Sequence, residues 1–364
     1  MFFDKFIAFS GAGESYLIAT VCRYEYGVTL SMQTLYVKEQ GAKVGCTGRR
    51  LTVTKEEQEL LTVPICRLTR VVLIGRVQIT TQAAALLLDR RIPLVMATLT
   101  GRLRGVLVPP DTPHVTLRLN QYELAKNPQY GFNFCRDLVA ARAASACNVI
   151  RRYLYNHPKK DLRPHIQKIL DYASQVSNQP SIDSLRGMEG MIAREYFAAL
   201  VKIFQDLGMN FSGRIRRPPT DPVNACLSYT YILLTEHCSC ALQTTRLDIY
   251  LGFMHQPNRN APALALDFVE QFRQPVADRF VMLLFNKKML QPSDFSPGPM
   301  NAVLLSEQAK RTLMTQWEIF LDTPQRLLEN QPALSPRDLL YRQAEAMEAA
   351  VRQKQPFCHY RLCL

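Results

Sequence analysis

The sequence lacks any apolar run long enough to cross a membrane. A spanning helix needs about 20 consecutive apolar residues, and the longest candidates are interrupted by charged residues such as Asp89, Arg90 and Arg91. The first five residues, MFFDK, also lack the basic region, the apolar stretch and the small-residue cleavage site of a secretory signal. From these two absences we expect a cytoplasmic protein that does not enter a membrane.

Three common catalytic signatures are also absent. The chain contains no Gly-x-Ser-x-Gly elbow, no phosphate-binding glycine loop with its lysine, and no glycine fingerprint of a dinucleotide-binding fold. Their absence argues against an α/β-hydrolase, a P-loop nucleotide hydrolase and a nicotinamide enzyme of the usual kind.

The 10 cysteines do not show the spacing of a zinc knuckle. In a cytoplasmic protein we expect them to be reduced, so disulfides are not indicated. The dense group HCSC at 237–240 would need distant ligands, such as those near His359, to complete a metal site. A structural zinc site is therefore the less favoured interpretation.

The sequence does have an excess of positive charge on a composition typical of folded proteins. It contains 44 Lys and Arg against 31 Asp and Glu residues, for a formal net charge of +13. A positive field attracts polyanions, so nucleic acid is the simplest expected partner, although an acidic membrane surface would match the charge equally well. The length of 364 residues favours two domains.

Hydrophobic periodicity predicts an α+β protein with a β-rich first half and a helical second half. Short apolar runs between glycines indicate strands over residues 35–108, with one helix over Gln82–Asp89 and a strand over Leu94–Ala97. The prolines near Pro110 break regular structure. We therefore predict an N-terminal extension over residues 1–34, a β-rich domain over 35–110 and a helical domain over 111–364.

Apolar residues at i, i+4 spacing predict two long helices in the second half. The two ladders are Met188, Ile192, Tyr196, Leu200 and Phe204, and Leu264, Phe268, Phe272, Val276 and Phe280. Asp221 and Pro222 supply an N-cap and a first-turn residue for a third helix.

Four residues in the second half are candidates for chemistry: Glu189, His255, Asp267 and Glu270. Glu189 stands one position from the first ladder, so its carboxylate borders a buried face and needs a counter-charge. Asp267 and Glu270 are three residues apart on one predicted helix, where they share a face and repel each other. A divalent cation would turn this repulsion into attraction, and the mixed set of ligands suits Mg²⁺ or Mn²⁺, with the imidazole favouring manganese slightly.

Each candidate also has an ordinary structural interpretation. Glu189 could be a helix-start glutamate favoured by the helix dipole. His255 could be a solvated loop residue, and Asp267 with Glu270 could lie on a solvated helix face. These interpretations stay open for each residue taken singly.

Many arginines accompany the acidic residues and are candidates for binding a DNA backbone. They are Arg186, Arg194, Arg214, Arg216, Arg217, Arg246, Arg259 and Arg273. The run 214–217 leads into the helix predicted after Asp221, whose free N–H groups favour a phosphate; a solvated basic loop is the alternative. A divalent metal with arginines suits phosphoryl transfer, which needs no protein nucleophile.

At these positions the sequence resembles the family-one CRISPR-associated (Cas) adaptation integrases. The resemblance extends from about Leu35 to Leu321 and rests on four ordered motifs. They are LRGMEG at 185–190 with AR at 193–194, RRPPTDPVNA at 216–225, GFMH at 252–255 and LALDFVEQFR at 264–273.

The resemblance implies a divalent metal held by Glu189, His255 and Glu270, with Asp267 supporting the site. It implies a β-rich domain used for homodimerisation and a helical domain that binds DNA and catalyses the reaction. It also implies that two dimers enclose a dimer of the family-two adaptation protein, bind a short double-stranded DNA and let each 3′-hydroxyl attack the repeat array. Some members are fused to a reverse transcriptase, which is thus a further candidate partner.

Two features depart from the family pattern. In the family a proline often follows soon after the arginine that corresponds to Arg273, whereas here Gln274 stands between Arg273 and Pro275. We expect a local adjustment of the backbone at this point. Residues 1–34 precede the usual start of the family.

Two other functions remain open beside integration. One is a stand-alone metal-dependent nuclease acting on branched DNA, which would need the same site. The other is a DNA-binding scaffold without catalysis, against which the intact Glu189, His255 and Glu270 argue.

Overall fold

A computed structural model describes residues 18–25, 28–37, 39–98, 103–108, 115–158, 160–255, 262–328 and 332–363 of the chain. The chain divides into two compact units, residues 1–109 and 110–364. The first unit is built mainly of strands and the second mainly of helices, which confirms the predicted α+β class and the order of its parts. Among the helices of these ranges, none is both long and apolar enough to span a membrane.

The N-terminal unit contains two β-sheets. The five-stranded sheet has the order β1–β2–β6–β8–β9, in which β2, β6 and β8 run parallel to one another. The four-stranded sheet has the order β5–β4–β3–β7. The strands are β1 (Ile18–Glu25), β2 (Val28–Val37), β3 (Lys43–Thr47), β4 (Arg50–Lys55), β5 (Gln58–Pro64), β6 (Leu68–Ile74), β7 (Gln78–Ile79), β8 (Leu94–Ala97) and β9 (Leu103–Leu107).

A helix connects the parallel strands β6 and β8, as the sequence predicts. This helix, α1, spans Thr81–Asp89, and the side chain of Thr80 caps it by accepting a hydrogen bond from the Ala83 amide at 3.1 Å. Its buried residue Leu87 belongs to the same apolar core as Val71 and Leu94 of the two strands. The crossover therefore buries one face of the sheet in the usual βαβ manner.

The sheet begins earlier than the sequence predicts. Strands β1 and β2 pair in antiparallel register from Ile18 opposite Leu35 to Glu25 opposite Val28. Residues 18–25 and 28–34, which were expected to belong to an N-terminal extension, are therefore strands of the first sheet. The part of the predicted extension before residue 18 lies outside the described residues.

The C-terminal unit is a set of helices around one extended apolar core. Its helices are α2 (Val115–Lys126), α3 (Pro128–Asn156), α4 (Arg163–Gln175), α5 (Ile182–Asp206), α6 (Pro222–Gln243), α7 (Ala263–Glu270), α8 (Arg279–Asn286), α9 (Glu307–Asp322) and α10 (Pro336–Gln353). A short antiparallel hairpin, β10 (Phe295–Pro297) and β11 (Val303–Leu305), precedes α9. Every member of the two predicted ladders is buried.

The second predicted ladder is interrupted by a π-helix. Residues Arg273–Asp278 form this wider turn between α7 and α8, and Gln274 and Pro275 are buried within it. A π-turn accommodates an extra residue in a helix while keeping the flanking faces in line. It is the local adjustment expected at Gln274.

Candidate metal centre and nucleic-acid interface

Asp267 of α7 organises the loop that carries His255. Its buried carboxylate accepts hydrogen bonds from the backbone amides of Phe253 (2.6 Å), Met254 (2.9 Å) and His255 (2.9 Å). The same carboxylate contacts Nδ1 of His255 at 2.6 Å. Through these contacts Asp267 holds both the backbone and the imidazole of His255.

Gly252 allows the loop to approach Asp267 this closely. A Cβ at this position would lie 2.7 Å from Oδ2 of Asp267 and 3.0 Å from backbone atoms of Ala263 and His255. Any larger residue would have to push the carboxylate or the loop away. The glycine of the GFMH motif is therefore required by packing.

The contact with Asp267 fixes which nitrogen of His255 can bind a ligand. Because Nδ1 faces Asp267, Nε2 is the nitrogen left for a metal or a substrate. The hydrogen bond to Asp267 raises the pKa of His255, and the charge of Glu270 adds to this, while burial and Arg273 act in the opposite direction. His255 is thus bound to Asp267, with 38% of its side chain exposed.

Glu189 and Glu270 are brought together by Arg142, a residue of α3. Nη1 of Arg142 contacts Oε1 of Glu189 and lies 2.9 Å from Oε2 of Glu270. Arg273 contacts the other oxygen of Glu270 at 3.0 Å. Arg142 is the counter-charge that the position of Glu189 beside a buried face requires.

The surroundings of Glu270 keep it ionised although it is buried. Burial acts to raise the pKa of Glu270, but the charges of Arg142, Arg273, His255 and Arg216 outweigh it and lower the pKa. Asp267 is also buried, so the interpretation of this pair as a solvated helix face is wrong. Glu189 lies about two turns into α5, too far from the helix start for the dipole to explain it.

Sequence reasoning missed Arg142, although a signal for it exists. It is the only charged residue between Asp137 and Arg151, and its neighbours are alanines and other small or apolar residues. A lone charge in such a stretch is expected to be paired inside the protein. The sequence does not show which partner it has, because Glu189 and Glu270 are distant along the chain.

The donor set at this site fits a divalent cation in its chemistry. Two carboxylates and the imidazole nitrogen that faces away from Asp267 are ligands that Mg²⁺ and Mn²⁺ accept. Within the described ranges, no three His, Cys, Asp or Glu side chains lie grouped closely enough to hold a metal ion. Nη1 of Arg142 contacts both Glu189 and Glu270 at this site.

The predicted DNA-binding arginines differ in their exposure. Arg186, Arg194, Arg216 and Arg217 are exposed, and Arg246 is half-buried. Arg216 lies near enough to Glu270 for its charge to lower that pKa. Arg259 lies outside the described residues. Arg186 also contacts Asp183 at 3.2 Å, while Arg194, Arg216 and Arg217 are exposed at positions where a polyanion could reach them.

Two predicted DNA-binding arginines are used within the protein instead. Arg273 contacts Glu270 at 3.0 Å, and Arg214 contacts its own loop and α6, which contradicts the prediction that it binds phosphate. Its Nη1 donates to the Ile215 carbonyl (2.7 Å) and to the Asn224 side chain (2.9 Å), while its Nη2 donates to Ser228 (3.1 Å). The Asn224 oxygen also accepts from the Ile215 amide at 2.9 Å. Arg214 therefore fixes the loop on α6 while its neighbours 216 and 217 face outward.

An aromatic ring lies between this loop arginine and the acidic site. The guanidinium carbons of Arg214 and Arg273 lie 5.3 Å and 5.1 Å from the centre of the Tyr231 ring, within the range of a cation–π contact. The Tyr231 hydroxyl donates to buried Asp278 at 2.6 Å, and Tyr196 donates to the same carboxylate at 2.9 Å. These hydrogen bonds connect α5 and α6 to the π-helix, which begins three residues after Glu270 in the chain.

Comparison with known proteins establishes the family. The family model described as CRISPR associated protein Cas1 matches residues 35–319. A curated relative, CRISPR-associated endonuclease Cas1 1 of Thermus thermophilus, is 32% identical over 296 residues, which cover 81% of this chain and 87% of the relative. The chain therefore belongs to the Cas1 family of CRISPR-associated proteins.

Solved structures share the fold at lower sequence identity. A casposase bound to integration product has a TM-score of 0.70 and 19% identity, with 91% of this chain and 95% of the casposase chain covered. A chain of a Cas6-RT-Cas1–Cas2 complex has a TM-score of 0.68 and 22% identity, with 96% of this chain covered. The present chain spans only 37% of that longer chain. At these identities the likeness shows the fold alone.

Proposed function

We propose that this protein joins the 3′-hydroxyl ends of captured DNA to a CRISPR repeat array by metal-dependent transesterification. The observation that carries the proposal is the group formed by His255, held by Asp267, and the two carboxylates of Glu189 and Glu270 on either side of Arg142. Membership of the Cas1 family supports it, as do the endonuclease name of the Thermus relative and the integration product bound by the casposase.

Glu189, Glu270 and Nε2 of His255 would hold Mg²⁺ or Mn²⁺. When bound, the cation polarises the scissile phosphate and stabilises the leaving oxygen. Asp267 keeps Nε2 of His255 directed to the site, and Arg273 holds one oxygen of Glu270 in place.

The reaction requires no nucleophile from the protein. The 3′-hydroxyl of the captured strand forms a bond to the phosphorus of the repeat backbone, and the bond from that phosphorus to the 3′-oxygen of the repeat strand breaks. The exposed guanidinium groups of Arg216 and Arg217 would hold the DNA backbone beside the acidic residues.

The proposed partners are double-stranded DNA, a second copy of this chain and the Cas2 protein. A reverse transcriptase is a further candidate. The Cas6-RT-Cas1–Cas2 complex of similar fold supports the Cas2 and reverse transcriptase assignments, and the net charge of +13 supports DNA.

A plasmid assay tests the function. A labelled duplex with free 3′ ends is incubated with a supercoiled plasmid that carries a repeat, with Mn²⁺ or with a chelator, and with or without Cas2. We expect the label to be joined to the plasmid only when the metal is present. Nicking of the plasmid without transfer of label would instead identify the stand-alone nuclease, which uses water as nucleophile at the same site.

A further inference from the structure

The positive charge at the centre of the site belongs to the protein itself. Arg142 is only 8% exposed, and its Nη1 contacts one oxygen of Glu189 and one of Glu270. A buried carboxylate without a counter-charge is strongly disfavoured. The same nitrogen therefore offsets the burial of Glu270 and also contacts the half-buried Glu189, although the two carboxylates come from different helices, α7 and α5.

The guanidinium of Arg142 does not make all the hydrogen bonds that it could. Its Nε is buried and has no hydrogen-bond partner among the described residues, and a buried donor without a partner is unfavourable. The guanidinium is thus held by its charge contacts with Glu189 and Glu270 and not by a complete set of hydrogen bonds.

The two arginines at Glu270 use different oxygens of its carboxylate. Arg273 contacts Oε1 and is three residues away on the same helical stretch, whereas Arg142 contacts Oε2. A cation that binds both Glu189 and Glu270 would have to occupy the position of Nη1 of Arg142. It would not have to displace Arg273, which contacts the other oxygen of Glu270.

We propose that Arg142 is a built-in counter-cation, which holds Glu189 and Glu270 together before metal binding and leaves this position when a divalent cation binds. The proposal rests on the proposed function for the assignment of these two carboxylates as metal ligands. It makes Arg142 a competitor of the metal for the same two carboxylates.

Direct measurement of Mn²⁺ binding tests the competition. Free Mn²⁺ is followed by its electron paramagnetic resonance signal during titration of the full-length protein, without DNA. We expect Arg142→Met to bind Mn²⁺ about tenfold more tightly than the wild type, since the competing charge contact is removed. Arg142→Lys keeps the charge and should stay within about threefold of the wild type. An unchanged or weaker affinity of Arg142→Met would overturn the proposal.

Two further variants separate competition from other effects. Arg273→Met removes a positive charge that contacts Glu270 but does not lie between Glu189 and Glu270. The Mn²⁺ affinity of this variant should therefore differ from that of the wild type by less than about threefold. Equal tightening in Arg273→Met and Arg142→Met would mean a general charge effect and would also overturn the proposal. Glu270→Gln tests the ligand assignment instead: if it binds Mn²⁺ as well as the wild type, the proposed metal site is wrong, whatever Arg142 does.

Crystal structures of the wild type with and without Mn²⁺ test the same point if Arg142→Met does not fold. We expect Nη1 of Arg142 between the carboxylates without Mn²⁺ and away from at least one of them when the ion is bound to Glu189 and Glu270. Arg142 still in contact with both carboxylates beside a bound ion would contradict the proposal.

Discussion

At the scale of single residues, the site depends on how closely Gly252 approaches Asp267. We predict that Gly252→Ala lowers the free energy of unfolding by about 1–3 kcal/mol, because the new Cβ would meet Oδ2 of Asp267 at 2.7 Å. The displaced carboxylate would also release His255, so strand joining should fall by about 10–100-fold. Chemical denaturation and the plasmid assay measure the two effects.

Gly190→Ala is the matched control for this substitution. Gly190 lies on α5 next to Glu189, and a Cβ built there would extend into open space away from the helix backbone. Alanine favours a helix over glycine, so stability should stay equal or rise by up to about 1 kcal/mol, with joining unchanged. If Gly190→Ala loses as much joining activity as Gly252→Ala, the close approach of Gly252 to Asp267 does not explain the loss.

The loop arginines are expected to separate into two functional kinds. Arg216→Gln and Arg217→Gln should each reduce the slope of log affinity for DNA against log salt by about 1, since each removes a phosphate contact. Arg214→Gln should leave the slope unchanged and lower the unfolding free energy by about 1–2 kcal/mol, because partly buried hydrogen bonds are lost. A flattened slope in Arg214→Gln at unchanged stability would restore the original phosphate assignment.

The sequence predicts the acidic candidates but not the contacts among them. Glu189, His255, Asp267 and Glu270 stand out by residue type, spacing and motif. The structure links Glu189 to Glu270 through Arg142 and His255 to Asp267, and the charge of Glu270 acts on His255. Contacts between distant helices set the direction in which each side chain points. For that reason neither the role of Arg142 nor the inward orientation of Arg214 followed from local pattern.

At the scale of secondary-structure elements, hydrogen bonds to the buried carboxylate of Asp278 connect α5 and α6 to the π-helix. Tyr196 and Tyr231 both donate to its carboxylate, and burial raises the pKa of Asp278 to about 6 against the lowering effect of these hydrogen bonds. A folded-state pKa above the unfolded value means that this carboxyl group contributes most stability when protonated, and that this contribution is lost as pH rises through about 6.

We therefore predict a pH-dependent difference between the wild type and Asp278→Asn. Between about pH 5 and pH 7.5, the unfolding free energy of the wild type should fall by about 1 kcal/mol relative to that of Asp278→Asn, because only the wild type has to ionise a buried group. Denaturant unfolding at the two pH values gives this difference. A constant gap between the two proteins, or a gap that changes in the other direction, would contradict the raised pKa.

The helical ladders and the β6–α1–β8 crossover were predictable from the sequence because apolar periodicity follows directly from burial. The paired strand residues 18–25 and 28–34 were not recognised, since they lie before the start expected from the family resemblance. The wider π-turn was predictable only as a disturbance at Gln274, because its form depends on how α7 and α8 pack into the core.

At the scale of the whole molecule, integration of a duplex requires more than one copy of the chain. Two joining events occur on opposite strands, while the described residues of one chain contain one group of Glu189, His255 and Glu270. We predict a symmetric dimer in the absence of DNA. The β-rich unit is the expected contact, because sheet edges can be covered by a partner while the basic helical surface stays open.

Light scattering of the purified chain over a dilution series measures this assembly. The expected mass is about twice the 41.5 kDa of one chain. A mass that stays at the monomer value at micromolar concentration, together with joining at both strands, would contradict the prediction.

The most direct test of the proposed centre is the joining reaction of Glu270→Gln. The substitution keeps the size of the side chain but removes the charge that Arg142 and Arg273 contact and that a divalent cation would need. With a labelled duplex, a supercoiled repeat plasmid and Mn²⁺, we predict joined product from the wild type and a loss of at least about a thousandfold in the variant, with DNA binding retained. Joining by a folded Glu270→Gln protein at a rate near that of the wild type would contradict the assignment of this site.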